Sequence, residues 1–198
     1  MKKIFFLCAL LLCAASTALA APVWGNGGFG GGSMMRQMER VAVLYENNAG
    51  TTFDAALDRV IENNVNNTIF QLGNQSVDGK PYIEELHKRG ITELAEANPA
   101  EIFALFNNTG INYVLYIEVR EPAIQEQEAR FATDITCTMK TPVRFFSIKE
   151  RRELFNDVLV GREVHNSIGG GASRKNVAVA ALAKSNPFIE ELLKKYLS

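Results

Sequence analysis

Cysteine is scarce in this chain of 198 residues: Cys8, Cys13 and Cys137 are all there is. The first two lie in the opening stretch, so a domain built from the rest holds one thiol and no internal disulfide. Its stability has to come from a packed core. Histidine is scarcer still. His87 and His165 stand far apart and lack the i, i+4 pairing of a zinc-binding helix. Glu84 and His87 make a single Glu-x-x-His pair, where a di-iron bundle needs two and further carboxylates, so a solvated helix face is the expectation. The chain therefore implies no metal and no cofactor. No Lys/Arg stripe gives the basic footprint that nucleic-acid binding requires. Nor is there a Gly-x-Ser-x-Gly elbow, and the glycines at 169–171 lead to Arg174-Lys175 without the Gly-Lys-Ser/Thr ending of a phosphate loop. That stretch reads as a loop and helix cap.

What is present begins with an export signal. Met1-Lys2-Lys3 is positive, Ile4 to Ala15 carry no charge, and Ala18-Leu19-Ala20 supplies the small-x-small pattern for cleavage. The apolar run is shorter than the roughly 20 residues of a spanning helix. Residues 1–20 are thus expected to be removed, leaving no integral membrane segment. Acylation at Cys8 or Cys13 fits less well, because a bulky leucine directly precedes each. Loss of Lys2 and Lys3 takes the formal charge from −1 to −3. Residues 21–38, with VWGNGGFGGGS inside them, offer too little apolar surface to offset ordering entropy and are expected to be a flexible leader. Residues 39–198 suffice for one domain with its own core.

Within that domain, Val41 to Tyr45 is an apolar run ended by Glu46-Asn47-Asn48-Ala49-Gly50, which reads as a buried strand and a turn. Phe53, Ala56, Leu57, Val60, Ile61 and Val65 recur at helical spacing, with Thr51 or Thr52 as cap. Ile69 to Leu72 reads as a second strand and Gly73 to Gly79 as a polar loop. Pro81 then opens a helix, and Asn98-Pro99 opens another that carries Ile102, Phe103 and Phe106. From Asn112 to Val119 both faces are apolar, as in an inner strand.

Beyond Pro122 the pattern becomes one-sided. Phe131, Thr133, Ile135, Cys137 and Met139 face one way, which implies a strand with one wet side and makes Cys137 a structural thiol. Two more strands, at about 143–148 and 153–164, flank the charged turn Lys149-Glu150-Arg151-Arg152. Helices follow from Ser173 and from Asn186-Pro187. The expected fold is α/β with a mixed sheet: βαβααβ, then an antiparallel three-strand meander and a C-terminal helix, helices packed on the sheet.

Several strings resemble the periplasmic α/β domain shared by the curli-secretion lipoprotein CsgG and the TolB amino-terminal domain. Val41 to Gly50 is similar to that family's opening strand, and Thr109 to Val119 to its helix end and central strand. Phe145 to Phe155 stands where the family has a strand-turn-strand, and the helix from Ser173 closes the domain. Leu44 replaces a frequent proline, the turn lacks the usual Thr-Gly, and there is no room for the long hairpins of a secretion channel. The resemblance implies a periplasmic or secreted, non-enzymatic domain that binds an envelope protein or itself. A hydrolase with an unrecognised site is the competing expectation. An outer meander edge can accept a strand, so Arg144, Arg151, Arg152, Asp157 and Arg162 are the expected binding residues.

Overall fold

Apolar residues on both faces of Tyr113 to Val119 require cover on both sides, and the structure, a computed structural model describing residues 38–129, 132–168 and 173–198, supplies it. The export signal, the leader up to residue 37, Phe131 and the 169–172 loop lie outside those residues. The elements are β1 (Arg40–Asn48), α1 (Asp54–Gln71), β2 (Gln75–Asp78), α2 (Lys80–Lys88), α3 (Pro99–Phe106), β3 (Tyr113–Arg120), β4 (Ala123–Ala129), β5 (Ala132–Ser147), β6 (Arg152–Ile168), α4 (Arg174–Ala183) and α5 (Asn186–Leu197). They form the expected α/β architecture, a mixed six-stranded sheet in the order β2-β1-β3-β5-β4, with β6 on the other side of β5. β2, β1 and β3 are parallel, and the meander joins antiparallel to β3.

The sheet separates two cores. On one face Val41, Leu115, Ile117 and Val119 meet Leu57, Ile61, Val65 and Ile69 of α1, together with α4 and α5. On the other, Ala42, Leu44, Val114 and Tyr116 meet Ile83 and Leu86 of α2 and Ile102, Phe103 and Phe106 of α3. Alternate residues of β1 and β3 thus serve opposite cores, because successive side chains of a strand point to opposite faces. Asn98 caps α3 by accepting from the Ala100 N–H at 3.0 Å.

The second strand is not where the apolar run Ile69-Phe70-Gln71-Leu72 placed it. That run is the last turn of α1 and its C-cap, because Val65, Thr68 and Ile69 continue the buried helical stripe, while Phe70 is 80% exposed. β2 lies instead in the polar stretch first read as a loop. It is a four-residue edge strand, held in register by main-chain pairing of Arg40 to Val43 with Gln75 to Asp78. Such a strand needs little apolar character of its own.

The meander also divides differently. Residues on either side of Pro142 form one strand, β5, and the third strand is β4, whose Ala-Ile-Gln-Glu-Gln-Glu-Ala gave little strand signal. Proline normally ends a central strand because it lacks an N–H. Here β5 pairs with β4 from Ala132 to Thr138 and with β3 from Val143 to Ser147, so Pro142 falls in the gap between two partners on the same side. A proline costs no ladder bond there.

Candidate functional site

Two regions carry side chains that the core does not explain: the carboxyl ends of β1 and β3, and the open side of the meander. The first sits where strand order reverses, with β2 on one side of β1 and β3 on the other. Open α/β sheets leave a crevice at such a point. The Tyr116 hydroxyl donates to Glu46 Oε2 at 2.9 Å, with Glu118 Oε2 at 3.3 Å. One proton cannot serve both carboxylates. Glu118 is held instead by Asn48 Nδ2 at 3.2 Å and by Arg120 Nε at 3.2 Å. His87 Nε2 lies 3.2 Å from Glu46 Oε1, so the histidine pairs across to β1 rather than along its own helix with Glu84. Burial, and then the charges of Glu46 and Glu118, push the Tyr116 hydroxyl far above its ordinary pKa, which keeps it a neutral donor.

Clefts of about 830 Å³ and 380 Å³ flank Glu46, the larger opening between α1 and α2 past the end of β2. His87 and Glu46 have the geometry of a base and its orienting carboxylate. Among the described residues, however, no Ser, Thr or Cys side chain is bonded to His87, so the nucleophile of a covalent mechanism is missing from the arrangement. The described residues also contain no group of three or more His, Cys, Asp or Glu positioned to hold a metal ion. Cys137 is fully buried under α4 between Ile135 and Met139, and burial pushes its thiol up to about 11. That is the chemistry of an inert packing group.

The second region is the meander. α4 and α5 cover one face, where Ile135, Cys137 and Met139 are buried. The other face of its outer part has no helix over it among the described residues. Val158, Val160 and Val164 of β6 stand there 43%, 62% and 54% exposed. β6 pairs with β5 along Arg152 to Ile168, and no described strand pairs with its far side. The opening strand, which could have covered that edge, lies inside the parallel half instead.

The five residues expected to bind are not brought together. Arg144 is no surface residue at all: it is 3% exposed, donates from Nε to Glu153 Oε1 at 2.6 Å, and from Nη1 to the carbonyls of Leu94 at 2.9 Å and Ala97 at 2.7 Å. Its guanidinium also lies 4.9 Å from the Phe146 ring centroid. It pins the segment between α2 and α3 to the sheet, and this removes it from the binding set. Arg151 occupies the hairpin turn at φ 49°. Arg152 is exposed beside Glu150 at 3.0 Å. Asp157 accepts from the Val158 N–H at 2.7 Å, and the Arg162 carbonyl accepts from Lys184 Nζ at 2.6 Å. These four follow β6 in line over roughly 30 Å. They mark an edge, not a pocket.

The valines were missed, although their alternation with Asp157, Leu159 and Glu163 was readable as a strand with a largely apolar row facing away from the core. The carboxyl-end network left no such signal, since Glu46, His87 and Tyr116 meet only through tertiary structure.

No family model and no curated protein matches the chain significantly. Among solved structures it is similar to the lipoprotein GNA1162 from Neisseria meningitidis, at 15% identity over 79% of this chain and 99% of that one, with a TM-score of 0.43. It is also similar to the hypothetical protein CT253 from Chlamydia trachomatis, at 12% identity over 81% and 98%, TM-score 0.45. The LpoB C-terminal domain from Salmonella enterica shares 11% identity over 62% and 81%, TM-score 0.34. No helix among the described residues is long and apolar enough to cross a membrane.

Proposed function

We propose that this is an exported, non-enzymatic protein of the cell envelope, a binding or assembly domain of the CsgG and TolB amino-terminal type that acts through protein–protein contacts at the open side of its meander. The observation that carries the reading is the β6 edge, which pairs with no further strand among the described residues, beside three exposed valines. Exposed apolar side chains next to free main-chain groups are what an added strand or a docked protein covers. The resemblance of Val41 to Gly50 and Thr109 to Val119 supports the family part, and the charged-then-apolar start supports export.

An enzyme reading has one observation in its favour, the His87–Glu46 pair beside the larger cleft, and lacks a nucleophile to go with it. Capture from envelope extract separates the two. The protein should retain a partner that the Val160→Lys, Val164→Lys double variant loses, with the melting temperature unchanged. Intact mass of the exported form should begin at Ala21. Capture that survives both lysines, or turnover that depends on His87, overturns this reading, and a mature chain starting at acylated Cys13 overturns the export part.

A further inference from the structure

Resting on that reading of the edge, we propose that the occupant is a second copy of this chain, its β6 paired antiparallel to the first β6 about a two-fold axis at Gly161. The argument begins with which groups face outward. Arg162 gives its carbonyl to Lys184, and Val158 gives its N–H to the Asp157 carboxylate. Both residues are even-numbered, and along a strand the N–H and C=O of one residue point the same way. The even residues of β6 therefore turn their main-chain groups away from β5. Lys184 is exposed and Asp157 caps its own neighbour, so an incoming strand exchanges these local bonds for main-chain ones at little loss.

Charge then selects the register. Because only the even residues turn their main-chain groups outward, each must pair with one of the same parity, so only registers centred on a residue are allowed. Centred on Val160, Asp157 faces Glu163; centred on Arg162 or Glu163, that residue faces itself. Each places like charges directly opposite one another, which is destabilising. Centred on Val158 or Leu159, the paired stretch runs into the bulge between Phe155 and Glu153, where the strand leaves its regular register with β5.

Centred on Gly161, Asp157 faces His165 and Val158 faces Val164, each twice by symmetry, and Val160 lies against the stem of Arg162. Glu163 then faces Leu159 while its carboxylate stays on Lys184 at 2.7 Å. No like charges meet.

Sedimentation of the chain as recovered from the producing cell tests this. The wild type should be a concentration-dependent dimer. Val160→Pro removes an N–H that β5 does not use and should raise the dissociation constant by at least about tenfold. Asp157→His and His165→Asp should each weaken the dimer, and the two together should restore it, because the exchange recreates the opposite pair only in this register. The double exchange also guards against a Val160→Pro chain that fails to fold. A wild type that stays monomeric, or a double exchange no better than its singles, overturns the proposal. If the monomer's capture of an envelope protein falls with Val160→Pro, the edge serves another partner and only this inference fails. If capture is indifferent to Val160→Pro as well, the reading of the edge fails with it.

Discussion

The parallel half of the sheet and the meander share one hydrogen-bonded sheet but are buried differently. In β3 six consecutive residues, Val114 to Val119, are buried, because α1 lies on one face and α2 with α3 on the other. In β5 the same continuous burial holds from Thr141 to Ser147 and then breaks into alternation from Met139 back to Ile135. The break marks where helical cover ends on one face. Fully burying an aliphatic side chain stabilises by about 1.5–3 kcal/mol, so the parallel half carries the stability and the outer meander is left with surface it does not need for folding. Surface of that kind is available for binding.

Arg144 stands at the boundary between the halves and should give the largest effect. Arg144→Ala removes the partner of Glu153 and leaves the carbonyls of Leu94 and Ala97 without their donor in a buried site. Breaking a buried ion pair from one side costs about 3–5 kcal/mol, and the partial exposure of Glu153 puts the expectation near the lower end. Urea unfolding measures it, and hydrogen exchange should show the segment from Ile91 to Ala97 loosening first. A loss below about 1 kcal/mol would mean that the boundary is held by the aromatic core alone.

Gly161 tests the meander from its covered side. A Cβ there would overlap the Ala181 carbonyl of α4, so Gly161→Ala must push the helix off the strand. Overpacking of this sort costs about 1–3 kcal/mol. Faster exchange should be confined to α4 and β6 while α2 and α3 stay protected. If all the helices loosen together, the halves are one cooperative unit and the contrast in burial has no counterpart in dynamics.

How much of this could be read from the sequence follows the same division. Where burial is two-sided, as in β1 and β3, apolar runs located the strands closely, and the Asn98-Pro99 cap did the same for α3. Errors arose where a partner decides. Ile69 to Leu72 looked like a strand because a short apolar run has no period of its own, and the extra turn of α1 emerges only once Ile69 is seen in the core. β2 is a strand because β1 offers it main-chain groups, and β5 runs through Pro142 because its neighbours change there. The candidate site divides likewise. Exposed valines in alternation are local and legible, whereas the charge on Arg144 suggested surface and only packing reveals it as buried.

The smallest effect on stability is expected at the hairpin turn, and it sharpens the comparison most, because it separates folding from association. Arg152 and Glu150 are 66% and 56% exposed, and an exposed pair of this kind contributes about 0–1 kcal/mol. Arg151 already holds a positive φ, and glutamate, unbranched at Cβ like arginine, meets the same backbone strain there. Arg151→Glu with Arg152→Glu should therefore leave the melting curve almost unchanged, within about 0.5 kcal/mol. The turn nevertheless goes from a net positive to a net negative charge at the end of the open strand, outside the stretch about Gly161 where two copies would pair. A charge at the rim of an interface acts on encounter more than on the docked state, and salt screens it. Self-association or partner capture should thus weaken at low ionic strength, and the deficit should shrink as salt is raised. The terminal helix is the rival surface: its Ile189, Leu192, Leu193 and Leu197 are buried, but Phe188 is 62% exposed. If association ignores the double reversal at every salt concentration and is abolished by Phe188→Asp, the contact lies on α5, and the uncovered side of the meander is bare for some reason other than binding.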